Sequence, residues 1–329
     1  MDCVWQVYGK RHDVGAVSWL AAGLRWRNLR PTNGGIKINL RAILMGLAFA
    51  LMWSSAFTSA RVIVAYAPPM ASLALRFLIS GGLGVLIALY LGQTFKLTRA
   101  QWKATIIFGV CQNALYLGLN FIAMQTVEAG LASIIASSMP LMVALAGWVI
   151  FRDRLPRLGV VGLVMGFMGV GLIMGARLES GVDLQGLALC VVAAMALTVA
   201  TLSVRGASSG GNVIMIVGLQ MFVGSACLAV ASALTETIVI DWNWKLVVAF
   251  FFTTLVPGLA ATWVWFTLVN SIGAVKAATF HFVNPFFGVA IAAALLGESL
   301  GFLDVLGVAI IAAGILAVQV SKQAPTKAP

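Results

Sequence analysis

Acidic side chains are scarce in this sequence, and none falls in the middle of a long apolar run. Ten Asp and Glu stand against 21 Lys and Arg in 329 residues. Glu128, Asp153, Glu298 and Asp304 close or open hydrophobic segments, and the other acids lie in loops or tails. A mid-membrane carboxylate is what a proton-driven pump for cations needs, and the first apolar segment, 42–60, has none. Cysteine is equally thin: Cys111, Cys190 and Cys227 stand singly in apolar stretches and Cys3 near the start. That spacing holds no disulfide framework and no metal cluster. There is no Gly-x-Ser-x-Gly element, no Asp-rich metal motif and no phosphate-binding loop, so hydrolytic, prenyl-transfer and ATP-driven chemistry lose their support. The expectation is a protein that is not an enzyme, with no cofactor and no metal.

What fills the chain is apolar surface. It is 61% hydrophobic and 9% charged, with a mean hydropathy of +1.01. About 20 apolar residues at about 1.5 Å rise cross a bilayer, and ten segments qualify. They run over 42–60, 71–92, 104–126, 129–151, 158–176, 185–204, 212–235, 246–270, 277–296 and 303–320. The 34 glycines suit helices that approach closely in lipid. With the N-terminus inside, 17 of the 21 Lys and Arg fall on the inner side, and only Arg61, Arg177 and Lys245 fall outside. The net charge of +11 is therefore a topology signal that puts both termini in the cytoplasm, and not a nucleic-acid footprint. Arg76 alone is charged well inside a span, either reaching for the interface or a helix-end carbonyl, or meeting a substrate carboxylate.

The chain repeats itself. A constant shift of 145 carries Phe121 to Phe266, Ala129 to Ala274, Ala132 to Ala277, Pro140 to Pro285 and Asp153 to the acid Glu298. It also carries Leu155 to Leu300, Gly162 to Gly307 and Gly169 to Gly314. The halves are 40–177 and 183–320, each with five spans. An odd number makes the second half enter from the opposite side, so the expected fold is an all-α membrane protein of ten transmembrane helices, two inverted five-helix repeats (5+5). Inverted repeats point to a carrier whose halves rock about a site between them. Residues 1–39 form a basic cytoplasmic segment, read either as a passive tail or as an amphipathic stretch on the anionic leaflet, and 321–329 a cytoplasmic tail.

Trp53-Ser54-Ser55-Ala56-Phe57, Leu75-Arg76-Phe77, the prolines Pro140 and Pro285, and Gly297-Glu298-Ser299-Leu300 together resemble the drug/metabolite transporter superfamily, in its EamA-type ten-helix members. The first half departs from that pattern, with Arg152-Asp153 where a Gly-Glu pair is usual. The resemblance covers about 40–320. It implies a central cavity lined mainly by helices one, three, four, six, eight and nine, and export of amino acids and other small metabolites from a bacterial inner membrane. It also allows a monomer, and it makes Arg76 a framework residue.

Polar side chains in the spans mark the candidate site, because they are costly unless they face protein or water. Asn113, Tyr116 and Asn120 share one face of an α-helical third span, as cavity lining or as interhelical glue. The 145 shift takes Asn120 to Trp265 and so favours Trp265 over Trp263 as the inward aromatic of the eighth span. Trp53 marks the first span. His281 and Asn284 share a face of the ninth just before Pro285, and His281 is either a neutral hydrogen-bonded residue or a proton-coupling group. Asp153 and Glu298 are read as capping or pairing groups at helix ends. Amide and aromatic walls without a counter-charge suit a zwitterionic or neutral metabolite. The expected activity is export of small metabolites, amino acids foremost, by alternating access. A carrier for drug-like aromatic compounds or nucleosides is the alternative, and a non-transporting scaffold the remaining one.

Overall fold

The structure is a computed structural model that describes residues 40–179, 181–203 and 211–323. The basic segment 1–39 and the tail beyond 323 lie outside the described residues. Within them, ten helical spans are long and apolar enough to cross a membrane: Leu40–Val64, Pro69–Tyr90, Arg99–Ala123, Ala129–Val149, Arg157–Glu179, Leu184–Ser203, Val213–Thr235, Trp244–Ile272, Ala274–Leu296 and Phe302–Ser321. No strand occurs among the described residues. Helices are the expected answer, since only a helix satisfies its own backbone polar groups in hydrocarbon. Large apolar side chains such as Leu86, Met168 and Leu234 stay exposed on the outside of the bundle, which is the surface a bilayer covers.

Small residues set which spans touch. The fifth and tenth lie glycine on glycine: a methyl carbon built on Gly314 would stand 2.6 Å from the Gly162 carbonyl oxygen, and one built on Gly169 would stand 2.9 Å from that of Gly307. Shifting by 145 turns the Gly162–Gly314 contact into the Gly307–Gly169 contact, with the halves exchanged. The pairing is its own image under the pseudo-twofold of an inverted repeat. The second and seventh spans pack the same way, through Gly81 and Gly84 against Gly218.

The twofold also relates backbone irregularities. The third span is π-helical over Gly109–Leu117 and the eighth over Thr254–Ala260, starting one repeat apart. The fourth breaks between Ala129–Ser137 and Met139–Val149, and the ninth runs Ala274–Ala278, a 3-10 stretch Thr279–Val283, then Asn284–Leu296. Both breaks fall just before the paired prolines. Proline brings no N–H and clashes with the carbonyl four residues back, so the α ladder stops there.

Candidate functional site

The two breaks meet beside the first span. Between them is a buried pocket lined by Trp53, Ser54 and Phe57 of the first span, Ser133, Ser137 and Pro140 of the fourth, and His281 and Asn284 of the ninth. Its free space is about 10 Å³, room for roughly one water molecule. An aromatic cluster stands behind Trp53 and His281 of that lining. Phe49 lies 4.7 Å from the Trp265 ring, 6.1 Å from Trp53 and 5.4 Å from His281, and His281 lies 5.5 Å from Trp53 and 5.3 Å from Trp265, all centroid to centroid.

The polar groups of the lining are incompletely bonded. Asn284 Nδ2 lies 2.9 Å from His281 Nδ1. The imidazole tautomer sets which of the two donates. Ser54 Oγ donates to the Asn284 carbonyl at 3.1 Å, holding the first span against the ninth. Ser137 Oγ is spent on the Ser133 carbonyl at 2.7 Å. Asn284 Oδ1 and Ser133 Oγ are left buried with no partner. Unpaired buried oxygens are rare in folded proteins and costly, so two lining one pocket are the site's most informative feature.

The sequence-derived candidates divide into two groups. Trp53, His281 and Asn284 line this pocket, and Trp265 stands behind them against the His281 ring. Trp263 points away and is 70% exposed, whereas Trp265 packs inward on Phe49 and His281. Asn113, Tyr116 and Asn120 stand apart from the pocket lining. Asn113 Nδ2 donates to the Gln220 carbonyl of the seventh span at 2.9 Å, and a methyl carbon on Gly224 would meet its Cβ. Tyr116 is buried in the main hydrophobic core. Asn120 Nδ2 turns back to the Tyr116 carbonyl at 2.8 Å, leaving Oδ1 unpaired. The shared face expected of these three rests on α-helical spacing, and the π-helical stretch through Asn113 and Tyr116 changes that spacing. Ser133 and Ser137 escaped the sequence reading. The available signal was Ser133 and Ser137 one turn apart just ahead of Pro140.

Carboxylates tie the span ends together. After the ninth span, Glu298 accepts from the Ala129 and Gly130 amides at 2.7 and 2.8 Å, capping the fourth. Arg177 bridges Glu128 at 2.8 Å and Asp304 at 2.9 Å on the same side. Asp183 accepts from Thr126 Oγ1 at 2.7 Å and from the Gly186 amide at 3.1 Å, bonds that hold its carboxyl below the usual carboxylate range. The second and seventh spans cap each other at both ends: Glu236 accepts from the Met70 and Ala71 amides, and Gln93 from the Met215 amide. The fourth and ninth do so at one end only. Among the described residues no side chain caps the ninth span's start at Gly273, and Asp153, the counterpart of Glu298, folds back towards Gly147 of its own span.

Ten spans in two inverted halves, with broken helices meeting at a buried pocket, define a membrane transporter. The chain belongs to the EamA-like transporter family, which matches residues 40–175 and 184–319, one half each. It is 27% identical over 286 residues to the uncharacterized transporter YvbV of Bacillus subtilis, covering 86% of this chain and 93% of that one. It is 25% identical over 307 residues to the uncharacterized inner membrane transporter YedA of Escherichia coli K12, covering 91% and 94%. A solved crystal structure shares the fold with a TM-score of 0.63 at 18% identity, over 86% of this chain and 99% of that one.

Proposed function

We propose that this transporter exports small metabolites, amino acids foremost, across a bacterial inner membrane with both termini in the cytoplasm. Trp53, Trp265, His281 and Asn284, joined by Ser54 and Ser133, line its substrate path. The observation that carries this reading is the pair of unpartnered oxygens, Asn284 Oδ1 and Ser133 Oγ, set where the fourth and ninth helices break. They supply hydrogen bonds to a polar solute while the rings of Phe49, Trp53 and Trp265 cover its apolar part. No acid lines the pocket, so a neutral or zwitterionic solute fits better than a strong cation. Asn113 serves packing in this reading, and Asn120, with its free oxygen, belongs to a third-span wall that the solute meets only after the helices move. The three-ring wall also suits a drug-like aromatic compound or a nucleoside, which is the second reading.

A pocket of about 10 Å³ admits a metabolite only when the fourth and ninth spans separate. Glu298 on the Ala129 and Gly130 amides is the outer latch against that separation. The inverted repeat supplies its inner counterpart: Asp153 moves onto the Ala274 and Val275 amides as the outer latch opens. The test is efflux from proteoliposomes loaded with mixed amino acids and cytosolic metabolites, followed by mass spectrometry. Selective depletion of one class is the expected result. A profile equal to that of protein-free vesicles sinks the proposal.

A further inference from the structure

Arg76 is 7% exposed, and the structure decides where its charge lies. A methyl carbon built on Gly258 would stand 3.3 Å from Nη2 and 4.0 Å from Nε of Arg76. Gly258 is midway along the 29-residue eighth span, so the guanidinium sits at the depth where a charge is most costly. It does not snorkel to the interface. Glycine at 258 is what leaves room for it there.

The charge is uncompensated. Arg76 forms no hydrogen bond or ion pair with another described residue, and its Nε is buried without a partner. Its neighbour Phe77 presents a ring 5.2 Å from the guanidinium carbon. The eight acids among the described residues all stand at span ends or in loops. Pro257 offers no N–H to the Thr253 carbonyl, which faces the same spot beside Gly258. A carbonyl dipole there softens a full positive charge and does not neutralise it. One turn along the second span, on the same face, Ser80 Oγ is also buried and unpaired. A buried guanidinium with donors to spare calls for an anion, and a carboxylate matches its fork geometry.

We propose that Arg76 is an anion site within the transport path and takes the carboxylate of the transported solute. The assignment rests on the transporter reading above. The eighth span links the two places, since Gly258 seats the guanidinium and Trp265, two turns on, packs against His281 in the pocket wall. The aromatic and amide pocket then holds the rest of the solute, which makes a carboxylate-bearing zwitterion the substrate class and leaves neutral nucleosides poorly bound.

The experiment is thermal unfolding of the purified full-length protein in detergent with sodium acetate, sodium chloride or acetamide, the two salts at equal ionic strength. Acetate should raise the Tm of the wild type above the chloride value, and acetamide should leave it unchanged. Arg76→Gln should lose the acetate response, and Arg76→Lys should keep a weaker one. Efflux of carboxylate-bearing metabolites from proteoliposomes should fall roughly 10- to 100-fold in Arg76→Gln, the loss expected from removing a charge-assisted hydrogen-bonding pair. Equal responses to acetate and chloride in the wild type overturn the proposal, and that readout needs no variant to fold. A stronger response to chloride overturns the solute assignment in favour of an inorganic counter-ion. Wild-type efflux from Arg76→Gln overturns the site while leaving the transporter reading intact. Absence of any wild-type efflux, with the acetate response preserved, removes the transporter reading instead.

Discussion

Removing the Glu298 carboxylate should open the outer side of the transporter. In Glu298→Ala the Ala129 and Gly130 amides lose acceptors at 2.7 and 2.8 Å. Hydrogen bonds to a charged group contribute about 1.5–3 kcal/mol each. Glu298 is only partly buried, so about 3 kcal/mol for the pair is the working figure after screening by solvent. At about 1.4 kcal/mol per decade, that shifts the closed-to-open equilibrium roughly 100-fold. The assay is Ser137→Cys in a background without the native cysteines, labelled from the outer face by a membrane-impermeant maleimide. Ser137 lines the pocket and is 7% exposed, so its labelling rate reports opening. Glu298→Ala should raise the rate by up to that factor, with Glu298→Gln in between because the amide keeps one acceptor. Glu236→Ala is the control. It removes an equivalent cap from the second span, whose pairing with the seventh is closed at both ends, and should leave the rate unchanged. Equal rates in wild type and Glu298→Ala refute the latch.

Trp265→Ala should abolish efflux with normal membrane insertion, whereas Trp263→Ala, at a position 70% exposed, should transport at the wild-type rate. Gly314→Val should fail at the fifth–tenth contact, because even a methyl carbon there meets the Gly162 carbonyl at 2.6 Å. The readout is loss of a monodisperse peak in detergent, since a clash with backbone cannot relax as a side chain does. Asp153→Asn should slow turnover without lowering the Tm by more than about 1 °C, because a surface change of this kind is usually within about 0.5 kcal/mol. A Tm loss of several degrees would instead make Asp153 a static structural group.

Much of this architecture is legible in the chain. The 145-residue shift reads Gly162 and Gly169 as partners of Gly307 and Gly314, and those four residues are where the fifth and tenth spans touch. Pro140 and Pro285 announce helix breaks because proline carries the reason within itself. The π-helical stretches were not legible. Side-chain spacing presupposes 3.6 residues per turn, and Asn113 and Tyr116 stand in a π-helical stretch where that spacing does not apply. Ser133 was hidden for another reason. A serine in an apolar helix by default bonds its own backbone, as Ser137 does, and only the folded structure reveals one that does not. The depth of Arg76 was also out of reach, since counting from the end of the second span places the Cα and says nothing about the far end of a long side chain. Glu298 could be read as a capping group, but which helix it caps depends on how the two halves interlock.

The most direct test of the central claim is mixed-pool efflux with three proteins side by side: wild type, Asn284→Ala with Ser133→Ala, and Trp263→Ala. Wild type and Trp263→Ala should selectively deplete one class of carboxylate-bearing metabolite, with the double variant indistinguishable from empty vesicles. Depletion by the double variant at the wild-type rate would place the substrate path elsewhere in the bundle.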